Sequence, residues 1–342
     1  MDRLPLEITI HLLSFIPYKG RDWLNVKLTC KRFLLASVKP FDPSVNDNDA
    51  IKWASKNGHL EVIKELLKDS RVDPSSDDNR AIIWASECGH LEVVKELLKD
   101  MRVDPSSDDN QAIIWASKYG HLEVVKELLK DNRVDPSALD NHAIIWASNN
   151  GHLEVVKELL KDNRVDPSAK GNYAIKWASG YGHLEVVKEL LKDNRVDPSA
   201  DNNDAIKWAS GIGHLEVVKE LLKDNRVDPS ADDNHAIIWA SNNGHLEVVK
   251  ELLKDSRVDP SDDDNDAIQS ASLNGHLEVV KELLKDGRVD PSALDNHAIQ
   301  WASENGHLDV VKELLKDSRV DPSSIILPTG QVKMDVLDFS DP

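Results

Sequence analysis

Apolar positions along residues 42–323 alternate between two registers. The first copy shows both: a small-residue patch at Ala50, Ile51 and Ala54, then a branched stripe at Leu60, Val62, Ile63, Leu66 and Leu67. At about 100° per residue the stripe falls on one side of a helix. Glu61, Lys64, Glu65 and Lys68 fall on the other, at an i,i+3 Glu–Lys spacing that suits a solvated outer face. The pattern predicts a first helix over Asp49–Asn57, with Asn48 as its N-cap and Gly58 where it stops. A second helix is predicted over Leu60–Lys68. It ends before a small or polar residue in most copies (Ser70, Asn132, Gly287), and Asp73-Pro74 then imposes an extended turn.

This unit recurs nine times at a period of 31 residues, from Gly58-His59 to Gly306-His307. A fixed period in that range implies a solenoid whose units bury their apolar faces on one another. Two positions on the first helix vary between otherwise near-identical copies. One reads Asp49, Arg80, Gln111, His142, Tyr173, Asp204, His235, Asp266, His297. The other reads Lys52, Ile83, Ile114, Ile145, Lys176, Lys207, Ile238, Gln269, Gln300. With Lys56, they form a stripe opposite Ala50, Ile51 and Ala54. Variation there does not track exposure alone, because the charged face of the second helix stays uniform. Recent duplication would also leave that face uniform. The substituents include Tyr, His, Arg and Ile, which carry interface energy, and this favours a partner-recognition surface over drift.

Charge narrows the partner. Residues 1–40 hold seven Lys or Arg against three Asp or Glu, a net +4, so the −19 of the whole chain leaves −23 on residues 41–342. Such an array repels phosphate backbones and anionic lipid, and it favours a protein with a basic patch over nucleic acid or membrane. Cys30 and Cys88 make no disulfide framework, Met1-Asp2-Arg3-Leu4-Pro5 lacks the core of a signal peptide, and no apolar run approaches a membrane span. A soluble monomer in the cytoplasm or nucleus is the expectation. No nucleophile–base set, phosphate loop, metal motif or cofactor motif is present, and a binding protein is expected, not an enzyme. The histidine after each repeat glycine is read as structural, whereas His142, His235 and His297 could make partner contacts pH-sensitive. The run Asp262-Asp263-Asp264-Asn265-Asp266 lacks calcium-loop spacing and reads as a solvated turn. Trp53 borders both core and stripe. The eighth copy has Ser270 in its place, a loss expected to weaken that junction and let it fray first.

The unit resembles an ankyrin repeat. Gly-His-Leu-Glu-Val-Val-Lys-x-Leu-Leu is close to that family's second-helix signature, and Ala54-Ser55-x-x-Gly58 is similar to its Ala-Ala-x-x-Gly. The resemblance implies stacked helix pairs that bind protein along the concave side, where Asp49, Lys52 and Lys56 would lie. It also implies that the histidine supports the loop between helices. Asp49-Ala50-Ile51-Lys52 replaces the family's Thr-Pro-Leu-His, and the period is short of its usual ~33, so turn-like tips are expected in place of long hairpins.

Residues 1–40 do not fit the repeat. Leu4-Pro5-Leu6-Glu7-Ile8, an apolar stretch ending at Pro17, and Cys30-Lys31-Arg32-Phe33 resemble an F-box. So short a three-helix unit needs a partner or the array to cover it. The resemblance implies docking on a Skp1-type adaptor and cullin complex through Leu4, Pro5, Ile8, Leu12, Leu13, Ile16, Trp23, Leu24 and Phe33. A simple N-terminal cap is the other reading. The expected architecture is all-α: an F-box at 1–40, an ankyrin-repeat α-solenoid at 41–323, and a tail or cap at 324–342. The expected function is a non-catalytic substrate receptor of an SCF-type ubiquitin ligase. A plain binding scaffold, or a decoy that occupies the adaptor, is the alternative. The combination resembles proteins of giant DNA viruses and amoebae.

Overall fold

Two helices form in each 31-residue block, as the alternating registers require, and the computed structural model describes residues 44–325. The first helices are α1 Val45–Lys56, α3 Ser76–Glu87, α5 Ser107–Lys118, α7 Ala138–Asn149, α9 Ala169–Gly180, α11 Ala200–Ile212, α13 Ala231–Asn242, α15 Asp262–Leu273 and α17 Ala293–Glu304. The second helices are α2 Leu60–Leu66, α4 Leu91–Leu97, α6 Leu122–Leu128, α8 Leu153–Leu159, α10 Leu184–Leu190, α12 Leu215–Leu221, α14 Leu246–Leu252, α16 Leu277–Leu283 and α18 Leu308–Leu314. Among the described residues there is no strand, and the tips are turns. No helix among them is long and apolar enough to cross a membrane.

The second helices stop at Leu66 and its equivalents, two residues short of the expected Lys68. The chain tightens there: the Lys68 amide bonds to Glu65 O, and the Asp69 amide to Leu66 O at 3.0 Å, both i→i−3 contacts. The first helices begin in an unexpected way. Asn46, Asp47 and Asn48 have φ of 54°, 56° and 60°, a left-handed turn, and right-handed helix starts only at residue 49. Every copy repeats this turn. The left-handed region costs an L-residue about 1–2 kcal/mol, and Asn and Asp tolerate it best. That accounts for the Asp- and Asn-rich residues before each first helix. Leu139, Lys170 and Leu294 occupy the same turn without that relief.

Asn48 is therefore not the N-cap that its position suggests. Its Oδ1 accepts the backbone N–H of Asp73 at 2.8 Å, in the loop that leads to the next copy. Asn203 binds Asp228 in the same way, and Asn265 binds Asp290. Other invariant loop residues also join copies. Asp73 accepts the N–H and hydroxyl of Ser75 at 2.9 and 2.6 Å, which closes the turn after the second helix. Arg102 grips Asp100 with two nitrogens and donates the third to Val72 O at 2.7 Å, one copy earlier.

The chain divides between Ala143 and Ile144 into two compact units. In the first, α1, α3 and α5 pack side by side, and α2, α4 and α6 form the layer behind them. In the second, α9, α11, α13, α15 and α17 make one layer and α8, α10, α12, α14, α16 and α18 the other. The core lies between layers. In the first unit it contains Ile51, Ala54, Ile63, Leu66 and Val72; in the second, Ile175, Ala178, Val187, Leu190 and Val196. Leu60 and Leu67, expected on the apolar side, are only half-buried. Ser55 and seven equivalents are fully buried with no hydrogen-bond partner for the hydroxyl. Ile325, after the short 3₁₀ turn Pro322–Ser324, is buried as the expected cover for the last copy; Ile326 and Leu327 lie outside the described residues.

Candidate partner-binding surface

The recurring histidine is a link between copies. His90 Nε2–H donates to Lys56 O at 3.0 Å and His214 Nε2–H donates to Gly180 O at 3.1 Å, each at the end of the preceding copy's first helix. The expected support within its own loop is thus a bridge to the neighbouring unit. It also explains the preceding glycine. Gly58 has φ +71°, and a Cβ there would come within 2.7 Å of His90 Nδ1. Burial lowers the pKa of His214 against the opposing pull of its bond to Gly180 O, and the nearby His183 and His245 lower it further.

With copies joined this way, the two variable positions separate. At the first, Asp49 and Tyr173 are exposed, and Arg80, Gln111, His142, Asp204, His235, Asp266 and His297 are half-buried. These side chains reach the surface, as expected. At the second, Lys52, Lys176 and Lys207 are buried, with Lys176 only 3% exposed. This corrects the expectation that the whole stripe faces solvent. The left-handed turn of the next copy lies over the second position, because so short a loop brings that turn down onto the helix. Lys52 Nζ sits 3.5 Å from Asp47, 3.4 Å from Asp49 and 3.6 Å from Asp77. Lys176 hydrogen-bonds Asp201 and lies 4.0 Å from Asp204. Lys207 bridges Asp204 at 3.1 Å and Asp232 at 3.0 Å. Burial opposes the charge on Lys207, but its bonds to Asp232 and Asp204 outweigh this and raise its pKa. Elsewhere Ile83, Ile114, Ile145 and Ile238 fill the site, while Gln269 donates to Asp264 O at 2.6 Å. Variation here changes how each junction is closed.

The exposed face runs one helical turn further than the variable stripe suggests. Spacing of i,i+4 places the Trp53 position and then the Asn57 position beside Asp49, and the tryptophans are half-exposed, not sealed in the core. On α9, Tyr173 meets Trp177 edge-on at 6.4 Å, and Trp177 stacks on Tyr181, just past the helix end, at 5.8 Å. Tyr173 is 40% and Tyr181 53% exposed, and Ile212 on α11 is 55% exposed. On α13 and α17, His235 packs edge-on against Trp239 at 4.4 Å and His297 stacks on Trp301 at 5.1 Å. Tyr119, Tyr181 and Ile212 stand eight residues after Gln111, Tyr173 and Asp204, a spacing present in the sequence but outside the two variable positions. Asp262, Asp263 and Asp264 are exposed, the last two within the left-handed turn. Leu4, Pro5, Ile8, Leu12, Leu13, Ile16, Trp23, Leu24 and Phe33 lie outside the described residues. A family model described as ankyrin repeats (3 copies) matches residues 25–109, 51–140, 113–202, 144–233, 175–264 and 237–325. No curated protein matches the chain.

Proposed function

Because the chain belongs to the ankyrin-repeat family, a protein-binding scaffold, we propose that its exposed first-helix face captures a protein partner with a basic patch. The aromatic row Tyr173–Trp177–Tyr181, along α9 and its C-terminal end, carries this reading. Two half-exposed tyrosines flanking a tryptophan supply the rigid, amphipathic area that dominates interface energy, and Lys176, 4.5 Å over the Tyr173 ring, brings Asp201 and Asp204 beside the row. The residues assigned to recognition are Asp49, Arg80, Gln111, His142, Tyr173, Asp204, His235, Asp266 and His297; Lys52, Lys176 and Lys207 act at the junctions beneath them.

The finer proposal is a substrate receptor of an SCF-type ubiquitin ligase, in the cytoplasm or nucleus. It is supported by the Leu4-Pro5-x-Glu7 and Cys30-Lys31-x-Phe33 pattern of residues 1–40. The chain would contribute proximity, holding a target lysine near the charged conjugating enzyme. Capture of the tagged full chain from eukaryotic cells tests both arms. Skp1-type adaptor and cullin are expected to co-purify, and a Leu4→Ala/Pro5→Ala/Ile8→Ala variant should lose them while keeping the target. Tyr173→Ala/Tyr181→Ala should do the reverse. Absence of adaptor removes the ligase reading and leaves a scaffold; adaptor without cullin marks a decoy.

A further inference from the structure

We propose that the hollow between Trp239 and Ser270 seats an arginine side chain of the protein partner, a subsite that rests on the protein-binding reading above. On α9 and α11 the tryptophans of neighbouring copies meet directly, Trp177 against Trp208 at 5.1 Å. Trp239 on α13 meets no second indole among the described residues, and α15 carries Ser270 where the other copies have tryptophan. A hollow of about 410 Å³ lies there, walled by the Trp239 indole, Ser270 and the carboxylates of Asp232, Asp233, Asp263 and Asp266.

The chain itself shows what such a ring accepts. Lys118 Nζ lies 4.5 Å over the Trp115 ring, from three residues along the same helix. Lys56 Nζ lies 4.7 Å over Trp84, from the preceding copy. The residues at those two places around Trp239 are Asn242 and Gly211, both uncharged. The buried position beside it is Ile238, where Lys176 and Lys207 stand in other copies. Trp239 is 38% exposed, and no lysine or arginine of the described residues lies over its ring, as Lys56 and Lys118 do over Trp84 and Trp115.

The carboxylates are similarly short of positive charge. Asp232 is engaged by Lys207 at 3.0 Å, and Asp266 accepts the Ser270 hydroxyl at 3.0 Å. Asp233 and Asp263 are exposed and form no ion pair among the described residues. Of the four carboxylates only Asp232 has a lysine partner among the described residues. A guanidinium suits this arrangement better than an ammonium, because its plane stacks on indole while its fork reaches carboxylates at the rim. His235, edge-on to Trp239 at 4.4 Å, lines the same hollow together with Ile238 and Asn242.

The test uses the full chain with ¹⁵N-labelled tryptophan, each indole N–H followed by NMR and the Trp239 signal assigned with Trp239→Phe. The probe is a short Gly-Ser peptide with one central arginine, compared with lysine and citrulline versions. The arginine peptide should shift the Trp239 indole saturably, with Kd on the order of 1 mM for one side chain. Asp263→Asn/Asp266→Asn should weaken that response about fivefold or more, and Ser270→Trp, which restores the residue of the other copies, should abolish it. No shift at Trp239, or an equal response to lysine or citrulline, overturns the proposal. Neither result depends on target capture through Tyr173 and Tyr181, so this failure is distinguishable from failure of the protein-binding reading.

Discussion

Two junctions in the second unit share a backbone and differ in chemistry. Between α9 and α11, His214 bonds Gly180 O at 3.1 Å and Asn172 binds the Asp197 N–H at 2.8 Å. Between α13 and α15, His276 bonds Asn242 O at 3.0 Å and Asn234 binds the Asp259 N–H at 2.8 Å. The invariant residues therefore build the same joint twice. The side chains above it diverge. The first joint is closed by Trp177 on Trp208 and Lys176 on Asp201; the second has Ile238, Ser270 and a hollow. Identical copies make the frame, and departures from identity make the surface. In a one-dimensional array, where stability is a sum of unit and neighbour contributions, such a departure acts locally.

The shared frame is tested most severely at its glycines. Gly182→Ala and Gly244→Ala would each bring a Cβ within 2.6 Å of a histidine Nδ1 at positive φ. Each should cost roughly 2–4 kcal/mol in denaturant unfolding, the same at both joints. At Gly306 nothing lies within 4 Å of the Cβ, so only the backbone contribution of about 1 kcal/mol remains. Unequal losses at 182 and 244 would break the claim of a common joint.

Trp208→Ser should copy the open junction into the closed one, at a cost of about 2 kcal/mol for a half-exposed tryptophan. An effect confined to within ~0.3 kcal/mol would mean the indole contact contributes little. Acid should separate the junctions next. The hydrogen bond from Lys176 holds Asp201 below the usual carboxylate pKa, and that from Lys207 does the same for Asp232. A depressed carboxylate stabilises above its unfolded value near ~3.9 and loses that contribution as pH falls through its folded value. Lys176→Ile/Lys207→Ile should accordingly flatten the decline in thermal midpoint below about pH 4 while leaving pH 7 little changed, since Ile already serves in other copies. The smallest effect concerns Ser210 and Ser241, whose buried hydroxyls lack partners. Replacing either with Ala should stabilise by about 0.5–1 kcal/mol, equally at both sites.

Much of this was legible in the residues. The period, the helix pair, Gly58 as a stop and the outer charged face all follow from spacing, because each reports a local requirement. What escaped the reading is non-local. Asn48 was a correct marker of where helix begins but carried the wrong role, since its partner, Asp73, belongs to the approach to the next copy. The Lys52 position lies on the polar side of its own helix and is buried by the turn that follows it 25 residues later. The left-handed turn itself was written in Asp-Asp-Asn, a composition that also suits an ordinary loop. The exposed row Tyr173–Trp177–Tyr181 was within reach of i,i+4 spacing. Ser270 stood out as an exception from the start, but the hollow it leaves, and the charges around it, required the neighbouring copy to be in place.

The most direct measurement is hydrogen exchange of the full chain, with and without Ser270→Trp. If the exceptions set local behaviour on a uniform frame, amides of α13–α16 exchange faster than those of α9–α12. Filling the gap should then slow α13–α16 about tenfold, equivalent to ~1.4 kcal/mol, and leave α9–α12 unchanged. Comparing the same helices in the two proteins removes any contribution from proximity to the chain end. Equal exchange in the two regions, or a Ser270→Trp chain indistinguishable from the original, would contradict the account.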